Sequence, residues 1–137
     1  MGRVINPERA GFERNRLVKT LAVANNRLLR QQEINAETRD LAAYEALCME
    51  AIASTIDPTV EAWEKRGYWL KADRFRMDWA WAEKLGGKMR AAVLAEDWAT
   101  AAGTAVSLAE KLMNVDLPKR ESSTKPWTGS MDEFNKG

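Results

Sequence analysis

Apolar residues return along most of this chain at intervals of three and four, the spacing that puts them on one side of an α-helix. Leu17, Leu21, Ala24 and Leu28 follow one another at spacings of four, three and four. Ahead of them Asn6, Pro7 and Glu8 stand in order as cap, first-turn proline and N-terminal carboxylate. Together they predict a first helix over 7–32. A second helix, 36–56, starts behind Asn35. It carries Leu41, Tyr44, Leu47, Cys48, Ala51 and Ile52 on one side, and Ala42, Ala43, Ala46 and Ala53 on the other, where a surface helix would carry charges. Only Glu45 and Glu50 supply carboxylates between Leu41 and Ile56. A helix this apolar all round is buried on more than one face.

Asp57-Pro58 reads as a third start, and the pattern beyond it predicts one long helix over 58–95. Val60, Trp63, Leu70, Met77, Trp81 and Leu85 share one face of it, and Tyr68, Phe75, Trp79 and Ala82 an adjacent one. Gly67 and the pair Gly86-Gly87 are candidate kinks, since a helical Gly costs about 1 kcal/mol against Ala. Ala95-Glu96-Asp97-Trp98 reads as the tight turn of an αα-hairpin, with Asp97 capping a fourth helix over 97–114. Ala101, Ala105, Ala109 and Leu112 form the inner side of that helix. The turn resembles those of tetratricopeptide-type repeats over about thirty residues, but no repeat period runs through the chain. From Asp116 the periodicity stops. Residues 118–137 are rich in helix breakers and read as a tail, flexible or laid on the surface and dispensable for folding, with Trp127 as its anchor if it packs.

The fold class implied is all-α: an antiparallel four-helix bundle of two αα-hairpins sharing the long third helix, in one domain over 1–117. A helix of about 38 residues spans about 57 Å. Four helices in one layer cannot cover that length, so the third helix either breaks near Gly86-Gly87 or turns its surplus apolar surface to another subunit.

Composition narrows the chemistry. The 137 residues contain no histidine, which removes the commonest general base and metal ligand. The lone Cys48 lies in a helical apolar setting and reads as a core thiol. Leu85-Gly86-Gly87-Lys88 lacks the first glycine and the Ser/Thr of a phosphate loop. No catalytic, cofactor or metal-binding set emerges, and the expectation is a protein that is not an enzyme and needs no cofactor. No apolar run is long enough to span a bilayer, so a cytoplasmic location is expected, with no membrane span.

The net charge of +1 hides an alternation. Residues 1–34 carry seven Lys/Arg against three acids, and 58–95 eight against five. Residues 35–57 carry one against five, and 96–114 one against three. Neighbouring helices thus present complementary rims. On helix 1, Arg9, Arg16, Lys19, Arg27 and Arg30 fall within an arc of about 80° opposite the leucines. Such a stripe either faces solvent or meets the phosphates of a nucleic acid or another anion. Arg74 and Asp78, four apart, are a candidate buried ion pair with Glu45 as third member. Of the six tryptophans, Trp69 alone points to the charged side of its helix and is a candidate contact point.

The leading expectation is a non-catalytic interaction or scaffold protein that acts as a homo-oligomer, most simply a dimer, and binds a further protein partner. Ala42, Ala46 and Ala53 would form the close contact between copies. Two alternatives stand beside it: an accessory protein holding nucleic acid or another anion on the helix 1 stripe, and a small-molecule binder with a Trp-lined pocket between helices 2 and 3.

Overall fold

The computed structural model describes residues 7–119 and 124–136; Asn6, read above as a cap, lies outside them. Among the described residues there are six helices and no strand: α1 (Pro7–Leu29), α2 (Ala36–Ser54), α3 (Ile56–Lys65), α4 (Trp69–Leu94), α5 (Trp98–Leu112) and α6 (Ser130–Lys136). The protein is all-helical. Asn35 caps α2 through a reciprocal box: its Oδ1 accepts from the Thr38 N–H at 2.9 Å, and the Thr38 hydroxyl accepts from the Asn35 N–H at 3.3 Å. Asp97 caps α5, accepting from the Thr100 N–H at 3.1 Å. α3 begins at Ile56, so Asp57 and Pro58 sit inside its first turn and Thr55 is the junction residue.

The expected helix over 58–95 is two helices, and the break falls at Gly67. Gly67 has φ +80°, the left-handed region open to glycine. The Tyr68 N–H reaches back to the Trp63 carbonyl at 2.9 Å, and the Gly67 N–H to that of Glu64 at 3.0 Å, which closes α3 in a Schellman motif. The break resets the phase of everything after it. Leu70 and Met77, expected on the core face, are 86% and 72% exposed. The glycine pair makes no break. Gly86 lies buried in mid-helix, where a Cβ would come within 3.0 Å of the Met49 Cβ, so the glycine allows α4 to lie close on α2.

α2 is the central element. It packs on α1, α4 and α6 and touches α3, while α5 lies against α1 and α4. Leu41, Ala42, Ala43, Ala46, Met49 and Ile52 are fully covered. The expectation that α2 is buried on more than one face is met within a single chain. Ala42 and Ala46 therefore have no surface to offer a second copy, and Ala53 is half-buried in the same core.

A smaller apolar cluster joins α3 to the first half of α4 through Ile56, Val60 and Ala72, edged by Trp63, Phe75 and Trp79. Arg14 of α1 ties it to the rest. Its Nη1 donates to the carbonyl and hydroxyl oxygens of Thr55 at 3.2 Å and to the Thr59 hydroxyl at 3.3 Å. Its guanidinium lies over Phe75 at 4.7 Å and Trp79 at 5.3 Å. Cation–π contact and hydrogen bonds replace a carboxylate partner for this buried charge.

The C-terminal segment is a packed element rather than a flexible tail. Trp127 is 4% exposed against Ala24 and Leu41, and Phe134 of α6 enters the main core. Asp40 of α2 accepts from the N–H groups of Gly129 at 3.2 Å and Met131 at 2.9 Å, docking the start of α6. Sequence periodicity missed the segment because a seven-residue helix shows less than two full turns of pattern. Trp127→Ala should therefore lower stability by about 3–5 kcal/mol, as a buried-aromatic truncation does. Urea denaturation followed by circular dichroism checks this; an unchanged midpoint would mean that the segment is dispensable after all.

Candidate functional site

Three regions stand out as sites: the buried carboxyl of α2, the basic stripe of α1 and the outer face of α4. Glu45 sits in mid-α2 with no exposed surface, and neither carboxylate oxygen has a hydrogen-bond partner. Burial pushes its pKa well above the ordinary 4.5, so the side chain is held as the neutral acid. Its helix neighbours are also shielded. The Cys48 thiol is pushed up to about 12, chiefly by burial, and the Tyr44 phenol likewise to about 12, with its hydroxyl 2.7 Å from that of Thr20. The Cys48 thiol is buried in the core. Arg74 and Asp78, expected to pair with each other and with Glu45, are both exposed on α4, and among the described residues neither forms an ion pair. The phase reset at Gly67 turns them outward.

The basic stripe of α1 is partly neutralised. Arg9, Arg16, Lys19 and Arg30 are exposed, but Arg16 is paired with Glu13 of its own helix. Arg27 is half-buried. It makes two hydrogen bonds to Glu37 of α2, at 3.0 and 3.2 Å, and lies over the Trp127 ring at 5.7 Å. The Trp127 Nε1–H donates to the same carboxylate at 3.2 Å, and Lys125 approaches it at 3.7 Å. The Arg27 guanidinium and these neighbours hold the Glu37 carboxyl below its ordinary value. Arg27 and Trp127, two candidate contact residues far apart in sequence, are thus brought together, and they serve the fold.

Trp63, Trp79 and Trp81 pack on aromatic neighbours, and Trp81 also borders an open groove. Trp63 meets Phe75 edge-on at 5.0 Å, and Trp79 is tilted against Phe75 at 6.1 Å and Trp81 at 5.8 Å. Open grooves among the described residues include two of similar size. One, of about 490 Å³, lies where the end of α1 meets α5, lined by Leu28, Ile34, Ala42, Trp98, Ala105 and Val106 among others. The other, of about 510 Å³, runs between α4 and α5 past Met77, Trp81, Lys84 and Lys111. Among the described residues no cluster of side chains could hold a metal ion, and no helix is long and apolar enough to cross a membrane.

The outer face of α4 borders the second groove. Trp69 is 60% exposed there, as its position among charged residues implied, and Leu70 and Met77 stand beside it. At 1.5 Å per residue, the 26 residues of α4 run about 39 Å and the 15 of α5 about 22 Å. α5 is too short to flank the whole of its partner. The sequence pattern marks Trp69 but not Leu70 and Met77, because the left-handed φ of Gly67 breaks the helical phase ahead of them.

Glu45 yields a pH test. Its folded pKa lies above its unfolded one, so above pH 4.5 the folded state holds a proton that the unfolded state has lost. Stability should then fall with rising pH, by about 1.4 kcal/mol per unit, until the folded pKa is reached. Urea midpoints at pH 5 and pH 8 should show this drop in the wild type, and Glu45→Gln should remove most of it. Equal slopes in the two proteins would place the proton elsewhere.

No protein-family model matches the chain, and no curated protein or solved structure is detectably similar to it.

Proposed function

We propose that the protein is a non-catalytic interaction module that self-associates, built on an antiparallel bundle of α1, α2, α4 and α5 with α3 and α6 packed around it. One observation carries this reading: Trp69, Leu70, Met77 and Leu94 all stand exposed on α4, more large apolar side chains than any other described helix leaves in water. Large apolar side chains grouped on a regular helix are what an interface uses as its centre, with charged residues as its rim. Arg74 and Arg76 supply such a rim. The chemistry of the interior supports a non-catalytic role. Among the described residues burial raises the pKa of the one fully buried acid and of the thiol, and the buried Arg14 is engaged by threonines and aromatic rings. The basic stripe of α1 offers less to a polyanion than its sequence implied, since Arg16 and Arg27 already have carboxylate partners.

Light scattering after gel filtration at micromolar concentration should give a multiple of 15.4 kDa. Replacing both Leu70 and Met77 by Glu should return the mass to that of one chain with the helical signal unchanged, because neither side chain belongs to the core. A wild-type mass of 15.4 kDa would discard self-association.

A further inference from the structure

We infer that the partner of the α4 face is a second copy of the same face, laid antiparallel across a two-fold axis near Asp78 and Trp79; this rests on the self-association proposed above and specifies its surface. Leu70, Met77, Ala80, Gly87, Ala91 and Leu94 are all exposed on α4. Their spacings of seven, three, seven, four and three are the seam positions of a heptad repeat, with Asp73 and Lys84 in the two places between. The seam is distinct from the face that α4 turns to α2, which holds Ala82, Leu85, Gly86, Met89 and Val93. α4 therefore carries two stripes, and its own chain covers only one.

The charges on the outer stripe identify the occupant. A two-fold contact requires that when residue i of one copy meets residue j of the other, j also meets i. Reversing α4 about the midpoint between Asp78 and Trp79 sets Asp73 opposite Lys84 of the second copy. The pair is of opposite sign, and it occurs twice. The same register sets Met77 against Ala80 and Leu70 against Gly87. Gly87 is otherwise unexplained: it is exposed in mid-helix, where glycine weakens the helix, and a Cβ there would meet nothing within 4 Å. Opposite a leucine of a second copy, the missing side chain becomes room for that leucine. An antiparallel shift of one heptad, which sets Leu70 against Leu94, brings Asp73 opposite Ala91 and Lys84 opposite Ala80 and loses the oppositely charged pair. A helix self-complementary in charge and in size about one point fits its own copy better than an unrelated protein.

Charge reversal tests the register. Asp73→Lys and Lys84→Asp should each weaken the dimer about tenfold or more, because like charges then face each other twice. The double variant should recover affinity to within about threefold of the wild type, since the opposite pairs are restored with their signs exchanged. Both residues are exposed, and among the described residues Asp73 bonds Arg76 one turn away, so circular dichroism should be unchanged throughout. Sedimentation equilibrium over a concentration series gives the constants. Leu70→Cys combined with Gly87→Cys provides a second measurement. The two positions are about 25 Å apart along one helix, so oxidation can join them only between copies, and the buried Cys48 is not a competitor. A dimeric wild type that ignores the charge reversals, or a pair of cysteines that forms no crosslinked dimer, overturns the α4 register and leaves self-association standing. A monomeric wild type overturns both.

Discussion

Gly86 brings α4 so near to α2 that a Cβ on it would lie 3.0 Å from the Cβ of Met49, and the rest of the arrangement follows from that approach. Helices meet this closely only where their facing residues are small, and α2 supplies Ala42, Ala43 and Ala46 along its length. With α4 seated on one side, α1 on another and α6 on a third, α2 becomes a helix surrounded by its own chain. Arg90 and Glu50 then close the rim of the α2–α4 contact with two hydrogen bonds, at 2.7 and 2.8 Å. Arg90 also covers the Phe134 ring, so the same guanidinium that seals one contact holds the last helix in place.

A helix buried on more than one face leaves no water for a polar side chain on those faces, and Glu45 shows the consequence. In an exposed helix a glutamate at this position would be unremarkable; here both oxygens lack partners and the group survives by keeping its proton. The opposite solution is taken at Arg14, which stays charged because three oxygens of Thr55 and Thr59 and two aromatic faces surround it. One buried group is accommodated by neutralisation and the other by solvation from the protein.

The proposed function depends on the same geometry read from outside. Because α4 reaches beyond the end of α5, and because its inner stripe is fixed on α2, its other stripe must face solvent or a second molecule. The heptad spacing and the mirrored charges on that stripe were present in the sequence throughout. They became visible only when Leu70 and Met77 were known to lie outside the core.

The sequence by itself determined that the protein is helical, that α1, α2 and α5 lie near the expected places, and that α2 is buried on more than one face. These follow from local physics: periodicity of three and four, the caps Asn35 and Asp97, and an alanine face without charges. It also marked Trp69 as exposed. Only the tertiary structure decided where the long aromatic segment breaks. Gly67 and Gly86 are both glycines in helical surroundings; one takes a left-handed φ and ends a helix, while the other stays helical because a neighbour needs the room. Local sequence cannot separate these cases, since the difference lies in what stands 3 Å away. The packing of Trp127 and Phe134 was illegible for the same reason: their partners on α1, α2 and α4 are at least 44 residues distant in the chain, and a short helix has too little pattern of its own to announce them.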